Sequence, residues 1–480
     1  MKALSSRLAG PMAESWLRRA RADYWALLSG EIALCTFVVL AVTGVYLAVF
    51  FDPAMNRAAY HGWYRPLRGV PVSQAYDSVL HLSFDVRGGL LMRQIHHWAA
   101  LIFVAAVCLH LLRLFFTGAF RRPRRLTWLI WVILLPVGMV AGWTGTILPD
   151  DLLSGGGLGL LQGVLQSIPV VGTDLTLRLF GGDVPGHEII ARLYWLHVLL
   201  LPAVMAGLFA LRRRLARRGP VRPPAPAGSG LRGSSRGAPV AASGATFLVT
   251  CGVLALLGAL AQINPIWLSG PSQPGATTAG AVPDWYMGFL DGALRIMPSW
   301  ELEVAGHPLT LAVLVPALIV PGAFFAVLAA YPLLERRLTG DRGVHLLADR
   351  PRDAATRTAV GAAGITCYGL LWAAAANDQI AYHIGLDLYA VTWFFRGAVL
   401  AGPLLAYALS QRVCLSLTGR EREEAERGRG TGLVVMTPAG GFREVTEPPR
   451  RAGEAGRGQP GPGVSGEARS PAPGATIPHP

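Results

Sequence analysis

The stretch 93–113, RQIHHWAALIFVAAVCLHLLR, decides the fold because it places histidines at both ends of an otherwise apolar segment. An α-helix turns about 100° and rises about 1.5 Å per residue. The 14-residue step from His96 to His110 therefore puts both imidazoles on nearly one face, about 21 Å apart. The 13-residue step from His97 points away from that face, so we expect His97 to make a hydrogen bond instead.

The composition places the chain in a lipid bilayer. Of its 480 residues, 52% are hydrophobic and 15% are charged, which is too apolar for a soluble protein. Spanning about 30 Å of hydrocarbon takes about 20 residues. Segments of this length lie near 31–51, 96–116, 126–147, 190–211, 244–263, 308–332, 357–378 and 387–410. No strand-like alternation suggests a barrel, so the predicted fold is an all-α polytopic membrane protein with eight transmembrane helices.

The net charge of +14 comes from arginines that cluster between alternate spans. Such clusters follow the second, fourth and sixth spans and precede the first. By the positive-inside rule these connections and both termini are cytoplasmic, and the connections 52–95, 148–189, 264–307 and 379–386 face outwards. We therefore expect a multi-pass protein of the plasma membrane, and nucleic-acid binding is not needed to explain the charge.

The five cysteines are scattered in or beside apolar spans, without a CxxC or CxxCH pattern. They support neither a disulfide framework nor covalent attachment of a c-type haem. The first span follows basic residues and is long enough to stay in the membrane, so we expect no cleaved signal.

His197 in the fourth span is a third histidine within the membrane. Ionisable side chains are costly in a spanning helix and usually face the protein interior. Neutral imidazole is a good axial ligand of haem iron, so two facing helices with such histidines can clamp haems across the bilayer. The alternative is that these histidines are hydrogen-bonded core residues without a cofactor.

Four segments together resemble cytochrome b, the haem-binding subunit of quinol:cytochrome c oxidoreductases. They are 93–100 with His110 and Arg113, 145–151 (GTILPDD), 192–197 (RLYWLH) with Pro202, and 283–286 (PDWY). The resemblance runs from about residue 24 to 447 and is broken mainly at 212–243. The Pro-Asp-Trp-Tyr form and the single chain of eight spans resemble the actinobacterial members, and this chain looks like a divergent paralogue.

The resemblance implies a four-helix bundle for haem b, with four further helices. In it His96 and His197 would ligate the outer haem, and His110 would be a ligand of the inner one. Further residues implied at the cofactor are Gly44, Gly145 and Arg93.

The resemblance also implies an outer site for quinol oxidation. Oxidation of a quinol releases two protons with its electrons, so a carboxylate that accepts a proton is needed, and Asp284 stands at that position. Tyr286 is the second implied catalytic residue, as a hydrogen-bond donor. Pro283 and Trp285 are the implied quinol-binding residues. His383, between the seventh and eighth spans, lies on the same outer side and is a further candidate for quinol binding, with an exposed loop histidine as the open alternative. Outside this context, Pro-Asp-Trp-Tyr would be read as an interfacial turn.

Two departures from the family pattern lie at the depth of the inner haem. The second ligand would be Leu211 or, at the family's usual position, Arg212; neither side chain can bind iron. Where the third helix needs a glycine 14 residues before Gly145, the chain has Trp131. We therefore expect one haem b at the outer site and a degenerate inner site. A lipid-facing Trp131, with the register shifted by one residue, is the open alternative.

The implied partners are a Rieske iron–sulfur subunit, a cytochrome c subunit, menaquinol and menaquinone, a terminal oxidase and membrane lipid. A non-catalytic or single-haem paralogue, acting in assembly or in a different electron-transfer complex, is the second hypothesis. A transporter is the third hypothesis. The spans offer few acidic residues or interrupted helices that could carry coupling ions, which counts against it.

The predicted organisation has five parts, divided by composition. They are a cytoplasmic N-terminal segment at 1–30, the haem-binding domain at 31–211, a cytoplasmic linker at 212–243, a second four-helix domain with the outer quinol-site loop at 244–417, and a mostly disordered cytoplasmic tail at 418–480.

Overall fold

The structure is a computed structural model, and it describes residues 25–183, 185–218, 237–273, 275–276, 283–304, 306–345, 348–427, 429–436 and 442–447. The chain divides into two compact units. The first comprises residues 1–223 and 233–418, and the second comprises residues 224–232 and 419–480.

Four membrane-length helical segments build the bundle of the first unit. They are α1 (Trp25–Phe50), α3 (Gly89–Phe116), α4 (Arg125–Ile147), and α7 (Ile189–Trp195) continued by α8 (Leu201–Arg218). α1 packs along α3, α3 packs along α4, and α8 packs against α4. The bundle core is made of apolar side chains from all four segments, including Phe103, Val107, Leu134 and Phe209.

The fourth span contains a π-helical turn, Leu196–Leu200, which holds His197. Such a turn accommodates one residue more than an α-helical turn. Pro202 lies just beyond it and has no backbone N–H, so regular α-helical hydrogen bonding fails at that point. Residues beyond this turn are therefore shifted by one position relative to an uninterrupted helix.

The remaining helices of the first unit extend and cover the bundle. Short helices are α2 (Gln74–Phe84), α5 (Leu152–Gln166), α6 (Gly172–Phe180), α10 (Ile266–Ser269) and α11 (Gly288–Ile296). Further long segments are α9 (Gly237–Leu260), α12 (Leu311–Leu314) joined through a π-helical turn (Val315–Ile319) to α13 (Val320–Thr339), α14 (Ala355–Ala374), α15 (Asn377–Ile384) and α16 (Leu388–Arg427). α9 packs on α1 and α3, and α11 packs on α14.

Short antiparallel hairpins are the only sheets within the described residues. β1 (Arg57–Ala59) pairs with β2 (Pro71–Ser73), and β3 (Glu301–Val304) pairs with β4 (His307–Thr310). In the second unit, β5 (Arg429–Met436) pairs with β6 (Phe442–Glu447).

The prediction of an all-α polytopic membrane protein is confirmed. Seven described helical segments are long and apolar enough to cross a membrane, and an eighth is obtained if α14 and α15, bent by 66° at their junction, form one span. Several boundaries differ from the predicted ones. α1 begins at Trp25, α8 continues to Arg218, and α16 continues to Arg427. The segment predicted as a mostly disordered tail contains the β5–β6 hairpin within its described residues.

Ion pairs join two connections at the end of the bundle that carries His110. The Arg357 side chain is 4% exposed and bonds to Glu335 at 3.1 Å and to Asp349 at 2.5 Å. Arg121, from the connection between α3 and α4, also pairs with Asp349. Asp349 N donates to Thr117 O at 2.9 Å, so the connection after α13 is held against the connection after α3.

We predict that Arg357→Ala lowers the free energy of unfolding by about 3 kcal/mol, because the Glu335 carboxylate would lose its buried cation, whereas Asp349 would keep its ion pair with Arg121. Thermal unfolding of the detergent-solubilised protein measures the loss. Arg342→Ala, at an exposed position of the same connection, is the matched control and should change stability by less than about 0.5 kcal/mol. Equal effects of the two changes would show that the network contributes little.

Candidate functional site

His96 is held by a hydroxyl and a glycine of the facing helix. Thr43 Oγ1 lies 2.9 Å from His96 Nδ1. A Cβ on the next residue, Gly44, would come within 3.2 Å of His96 Cε1. Bare backbone therefore lets α1 approach the imidazole closely, and the hydroxyl fixes the orientation of the ring.

His197 has the same surroundings on the opposite side of the bundle. Its Nδ1 lies 3.1 Å from Thr144 Oγ1 and 2.9 Å from Ala141 O. A Cβ on Gly145 would lie 2.7 Å from His197 Cε1. A carbonyl oxygen only accepts hydrogen bonds, so Nδ1 carries the proton and Nε2 keeps its lone pair.

The two rings face each other across a gap of the size that one metal atom requires. Their centroids are 6.2 Å apart, with planes inclined at 66°. This is too long for ring stacking, and it suits one iron atom bound by a nitrogen of each ring, since imidazole–metal bonds measure about 2 Å. Both histidines line a mainly apolar cavity of about 570 Å³ together with Gly44, Gly145 and Arg93.

Arg93 supplies a second sign that this cavity fits haem. Arg93 Nη2 donates to Asn264 O at 2.8 Å, while Nη1 is buried without a hydrogen-bond partner among the described residues. A buried, unpaired guanidinium nitrogen suits an acidic group such as a haem propionate. The residues at the His96 end of the bundle thus fit a bis-histidine haem.

At the opposite end of the bundle, His110 has the same kind of hydroxyl and glycine neighbours, but the ring that faces it is an indole. Ser29 Oγ lies 3.2 Å from His110 Nδ1, and a Cβ on Gly30 would lie 2.8 Å from His110 Cε1. However, the ring of His110 contacts the indole of Trp131, with centroids 4.1 Å apart. This direct contact leaves no room for a metal atom or a porphyrin between them.

The structure resolves the register on the fourth span. The π-helical turn at 196–200 adds one residue, which brings Arg212, 15 positions after His197, to the bundle interior. The Arg212 guanidinium carbon lies 4.9 Å from the centroid of the Trp131 ring, whereas Leu211 is 46% exposed. Trp131 itself is 0% exposed, so the alternative of a lipid-facing indole is wrong. The residues at this end do not fit a haem.

A layer of aromatic rings separates the two ends. Phe37 and Phe209 have centroids 5.3 Å apart, and Phe103 lies 6.5 Å from Phe37 and 6.4 Å from Phe209. The Phe103 ring packs on bare backbone, because a Cβ on Gly138 would lie 2.6 Å from its Cε1. The cavity reaches this layer at Phe37 and Phe103, and His110 is not among its lining residues.

Asp284 and Tyr286 meet at the open part of the same cavity. Tyr286 OH donates to Asp284 Oδ2 at 2.9 Å, and His97 Nε2 lies 3.2 Å from Asp284 Oδ1. Burial of the Tyr286 ring, which is 1% exposed, raises the pKa of its hydroxyl, so this group stays a hydrogen-bond donor. The hydrogen bond expected of His97 therefore reaches the implied proton acceptor.

Of the other three residues predicted for the quinol site, one lines the cavity and two do not. Pro283 lines the cavity with Asp284. Trp285 packs instead against the bundle core and is not among the lining residues. His383 is exposed on α15, stacks edge-on with Tyr382, and does not line the cavity, so its placement does not support the prediction. The bend between α14 and α15 accounts for this, because it redirects the helix that carries His383.

Side chains of α3 form hydrogen bonds with the backbone of the connection that follows α9. Gln94 Nε2 donates to Ile263 O at 2.9 Å, and Gln94 Oε1 accepts from Ile263 N at 2.8 Å. Trp98 Nε1 donates to Ala261 O at 2.7 Å. The residues flanking His96 therefore fix one side of the cavity mouth.

Two buried carboxyls, Asp150 and Asp151, follow α4, and Asp151 lines the cavity. Asp151 caps α5 by accepting from Ser154 N at 3.1 Å. Asp150 is 3% exposed and adopts a left-handed backbone conformation with φ 50°. Burial raises the pKa of Asp150 to about 6, although the Ser73 hydroxyl and the Arg57 guanidinium act in the opposite direction.

We predict that Asp150→Asn stabilises the protein at pH 8 by about 2 kcal/mol and has little effect below pH 4. The folded-state pKa of Asp150 lies above the ordinary aspartate pKa of 3.8, so the native protein loses stability as the pH rises from about 4 to about 6. An amide does not ionise, and asparagine tolerates positive φ. Thermal unfolding at both pH values measures the difference, with the exposed Asp174→Asn as control. A gain that is independent of pH would contradict this assignment.

These features define a class: a helical membrane protein whose bundle has, at one end, a pair of facing histidines that fits a bis-histidine redox cofactor. A family model described as "Cytochrome b(N-terminal)/b6/petB" matches residues 101–271. A cytochrome bc1 complex cytochrome b subunit of Streptomyces coelicolor is 45% identical over 442 residues, covering 91% of this chain and 81% of the relative. One of Mycobacterium bovis is 46% identical over 438 residues, covering 90% and 79%.

A solved structure described as "Hyperthermophilic respiratory Complex III" has the same fold, with a TM-score of 0.55 at 18% identity over 80% of this chain and 92% of that one. The chain belongs to the cytochrome b subunits of cytochrome bc1 complexes, which confirms the resemblance drawn from its motifs. Membership in this family implies haem b as the cofactor.

The sequence carried an unused signal for the hydroxyl groups that orient the histidines. Each of the three histidines meets a Ser-Gly or Thr-Gly pair: Ser29-Gly30, Thr43-Gly44 and Thr144-Gly145. The pairs in α1 are 14 residues apart, as are His96 and His110. The fourth position of this pattern is Ile130-Trp131, where both the hydroxyl and the glycine are missing.

Proposed function

We propose that this chain is the haem b-binding, quinol-oxidising subunit of a respiratory bc1 complex and that it oxidises menaquinol at the His96 end of its bundle. The observation that carries the proposal is the Asp284 carboxylate, which is bonded by Tyr286 and His97 in the cavity that also contains the His96–His197 pair. A proton acceptor and a site for a one-electron carrier thus share one apolar cavity.

The geometry suits removal of a proton from a quinol hydroxyl. A quinol head lying against Asp284 would donate a hydrogen bond to the carboxylate, while Tyr286 holds one carboxylate oxygen and His97 the other. A carboxylate held in this way accepts the proton as the electrons leave. The apolar lining, which includes Phe37, Leu40 and Ala41 of α1, excludes water and suits the isoprenoid tail of a quinone. Haem b bound between His96 and His197 would supply one-electron redox chemistry.

Charge distribution supports an outward orientation of this cavity. Arginines concentrate at the opposite end of the bundle, in the connection after α3, in α8 and at the end of α13. The positive-inside rule then places the His110 end in the cytoplasm and the Asp284 cavity outside, so protons from quinol would be released outwards. We infer that both termini are cytoplasmic and that the membrane is the plasma membrane.

The partners follow from the reaction and the relatives. A one-electron acceptor must dock at the outer face, and a Rieske iron–sulfur subunit and a cytochrome c subunit of the same complex fill this role, with a terminal oxidase as the final acceptor. The actinobacterial relatives favour menaquinol as the substrate.

We predict that Asp284→Asn slows quinol oxidation by the purified complex on the order of 100-fold, because an amide keeps the shape of the side chain but cannot take up the proton. Reduction of cytochrome c by a menaquinol analogue measures the rate. The haem b spectrum should be unchanged. The exposed Glu303→Gln is the control and should retain the full rate. A normal rate in the Asp284 variant would refute its role.

We also predict that His96→Ala and His197→Ala each abolish the low-spin, reducible b-type spectrum, because each removes an axial ligand. The dithionite-reduced minus oxidised difference spectrum of the purified protein measures this. The exposed His383→Ala is the control. Retention of a bis-histidine spectrum in both His96 and His197 variants would contradict the proposal.

The altered His110 end favours a second candidate, a non-catalytic or single-haem paralogue that acts in assembly or in a different electron-transfer complex. The two variants at His96 and His197 distinguish these roles. A scaffold would keep its biological activity without haem, whereas an electron carrier would lose it.

A further inference from the structure

We infer that the His110 half of the bundle is a closed protein core that takes no haem, so that both electrons of each quinol leave on the outer side and none crosses the membrane through this chain. The structural half of this inference is that side chains around Trp131 fill the inner site. The functional half, the path of the electrons, rests on the proposed quinol oxidation.

The indole of Trp131 occupies the space between the two ligand positions of the inner site. Its ring contacts His110, with centroids 4.1 Å apart, and the guanidinium carbon of Arg212 lies 4.9 Å from its centroid. These are the two helix positions that would bind the iron from opposite sides. Trp131 is completely buried, so no rearrangement at the surface frees the space.

Cation–π attraction and edge contacts hold the indole there. A guanidinium over an indole face is attracted by the ring quadrupole, and a buried pair is attracted more strongly. Phe209 packs against Trp131 nearly perpendicularly, with centroids 6.0 Å apart at 87°. Phe209 also belongs to the layer with Phe37 and Phe103. Protein side chains therefore fill the bundle continuously from the floor of the outer cavity to Arg212.

The two ends of the bundle differ in the space between their facing side chains. At the outer end the facing rings of His96 and His197 are 6.2 Å apart and border a cavity. At the inner end one imidazole touches an indole, and the opposite position carries a cation that only donates hydrogen bonds. The losses of ligand, glycine and hydroxyl coincide at one corner of the bundle, where Ile130-Trp131 faces Arg212.

This arrangement changes the path of electrons. One quinol gives two electrons and two protons. With one redox centre at the outer end, both electrons must pass singly to outer one-electron acceptors of the iron–sulfur class. The balance is then one quinol and two oxidised acceptors giving one quinone, two reduced acceptors and two protons released outside. No quinone is reduced at the inner face and no proton is taken up there.

Haem counting tests the structural half. We expect one haem b per chain in the purified complex by the pyridine haemochrome method. Trp131→Gly combined with Arg212→His restores the missing glycine and the missing ligand, and we expect it to raise the count to two with a second low-spin component. Each single change should leave the count at one, since the other obstacle remains.

If the double variant does not fold, the single variant His110→Ala tests the same point. His110→Ala should leave the haem b content and the reduced spectrum unchanged. Loss of haem b in this variant, or two haems b per chain in the unmodified complex, would overturn the inference while leaving outer quinol oxidation intact. A complex without any haem b would instead overturn the proposed function.

Proton counting tests the functional half. The intact complex is reconstituted in liposomes, the terminal oxidase is blocked with cyanide, and an external cytochrome c is reduced by a menaquinol analogue. We expect one proton released per electron accepted, with a rate that is unaffected by valinomycin and potassium. A release of two protons per electron, accelerated by valinomycin, would show that electrons reach the inner face and would refute the inference.

Discussion

Close contact between glycine backbone and an imidazole ring is the constraint on which the bundle depends. At Gly145 a methyl group would collide with the ring of His197, and at Gly44 it would press on the ring of His96. The neighbouring threonine hydroxyls then bond to Nδ1 of each ring. Helix spacing, ring orientation and the free nitrogen of each ring thus follow from a two-residue Thr-Gly unit. The cavity exists because the helices meet through these units rather than through bulky side chains.

The same constraint explains how one end of the bundle can close without disturbing the other. Ser29 and Gly30 still hold His110, so α1 and α3 keep their spacing along their whole length. The departures from the pattern lie on α4 and α8, where the indole of Trp131 and the guanidinium of Arg212 fill the space next to His110. Phe103, packed on Gly138 midway between the two ends, separates their environments. Each end can therefore vary independently of the other.

Hydrophobic segments were sufficient to predict the spans, and four sequence motifs were sufficient to indicate the family. The pairing of His96 with His197 followed from that resemblance, because spacing alone left hydrogen-bonded core histidines as an alternative. They could not choose between Leu211 and Arg212, because a π-helical turn breaks the regular period of the fourth span and only the folded backbone reveals it. The hydrogen bond from His97 to Asp284 joins residues 187 positions apart, which no local pattern encodes. Sequence alone also left open whether His383 lines the cavity or is exposed, and the structure has it exposed on α15, beyond the bend after α14. The β5–β6 hairpin did not follow from composition, because its strands lie within a segment that is rich in Gly, Pro, Arg and Glu overall.

The phenylalanine layer has an electrical consequence. Phe37, Phe103 and Phe209 form a non-polar floor under the outer cavity, and the filled region beneath them contains no metal centre in the proposed arrangement. Such a slab behaves as an insulator, so the part of the transmembrane voltage that falls across it does not act on a charge in the cavity above. Moving one elementary charge through 100 mV takes about 2.3 kcal/mol, and a charge confined to the cavity would experience only the remaining part of this field. The midpoint potential of a carrier bound between His96 and His197 would then shift by less than the full transmembrane voltage when the cell is energised.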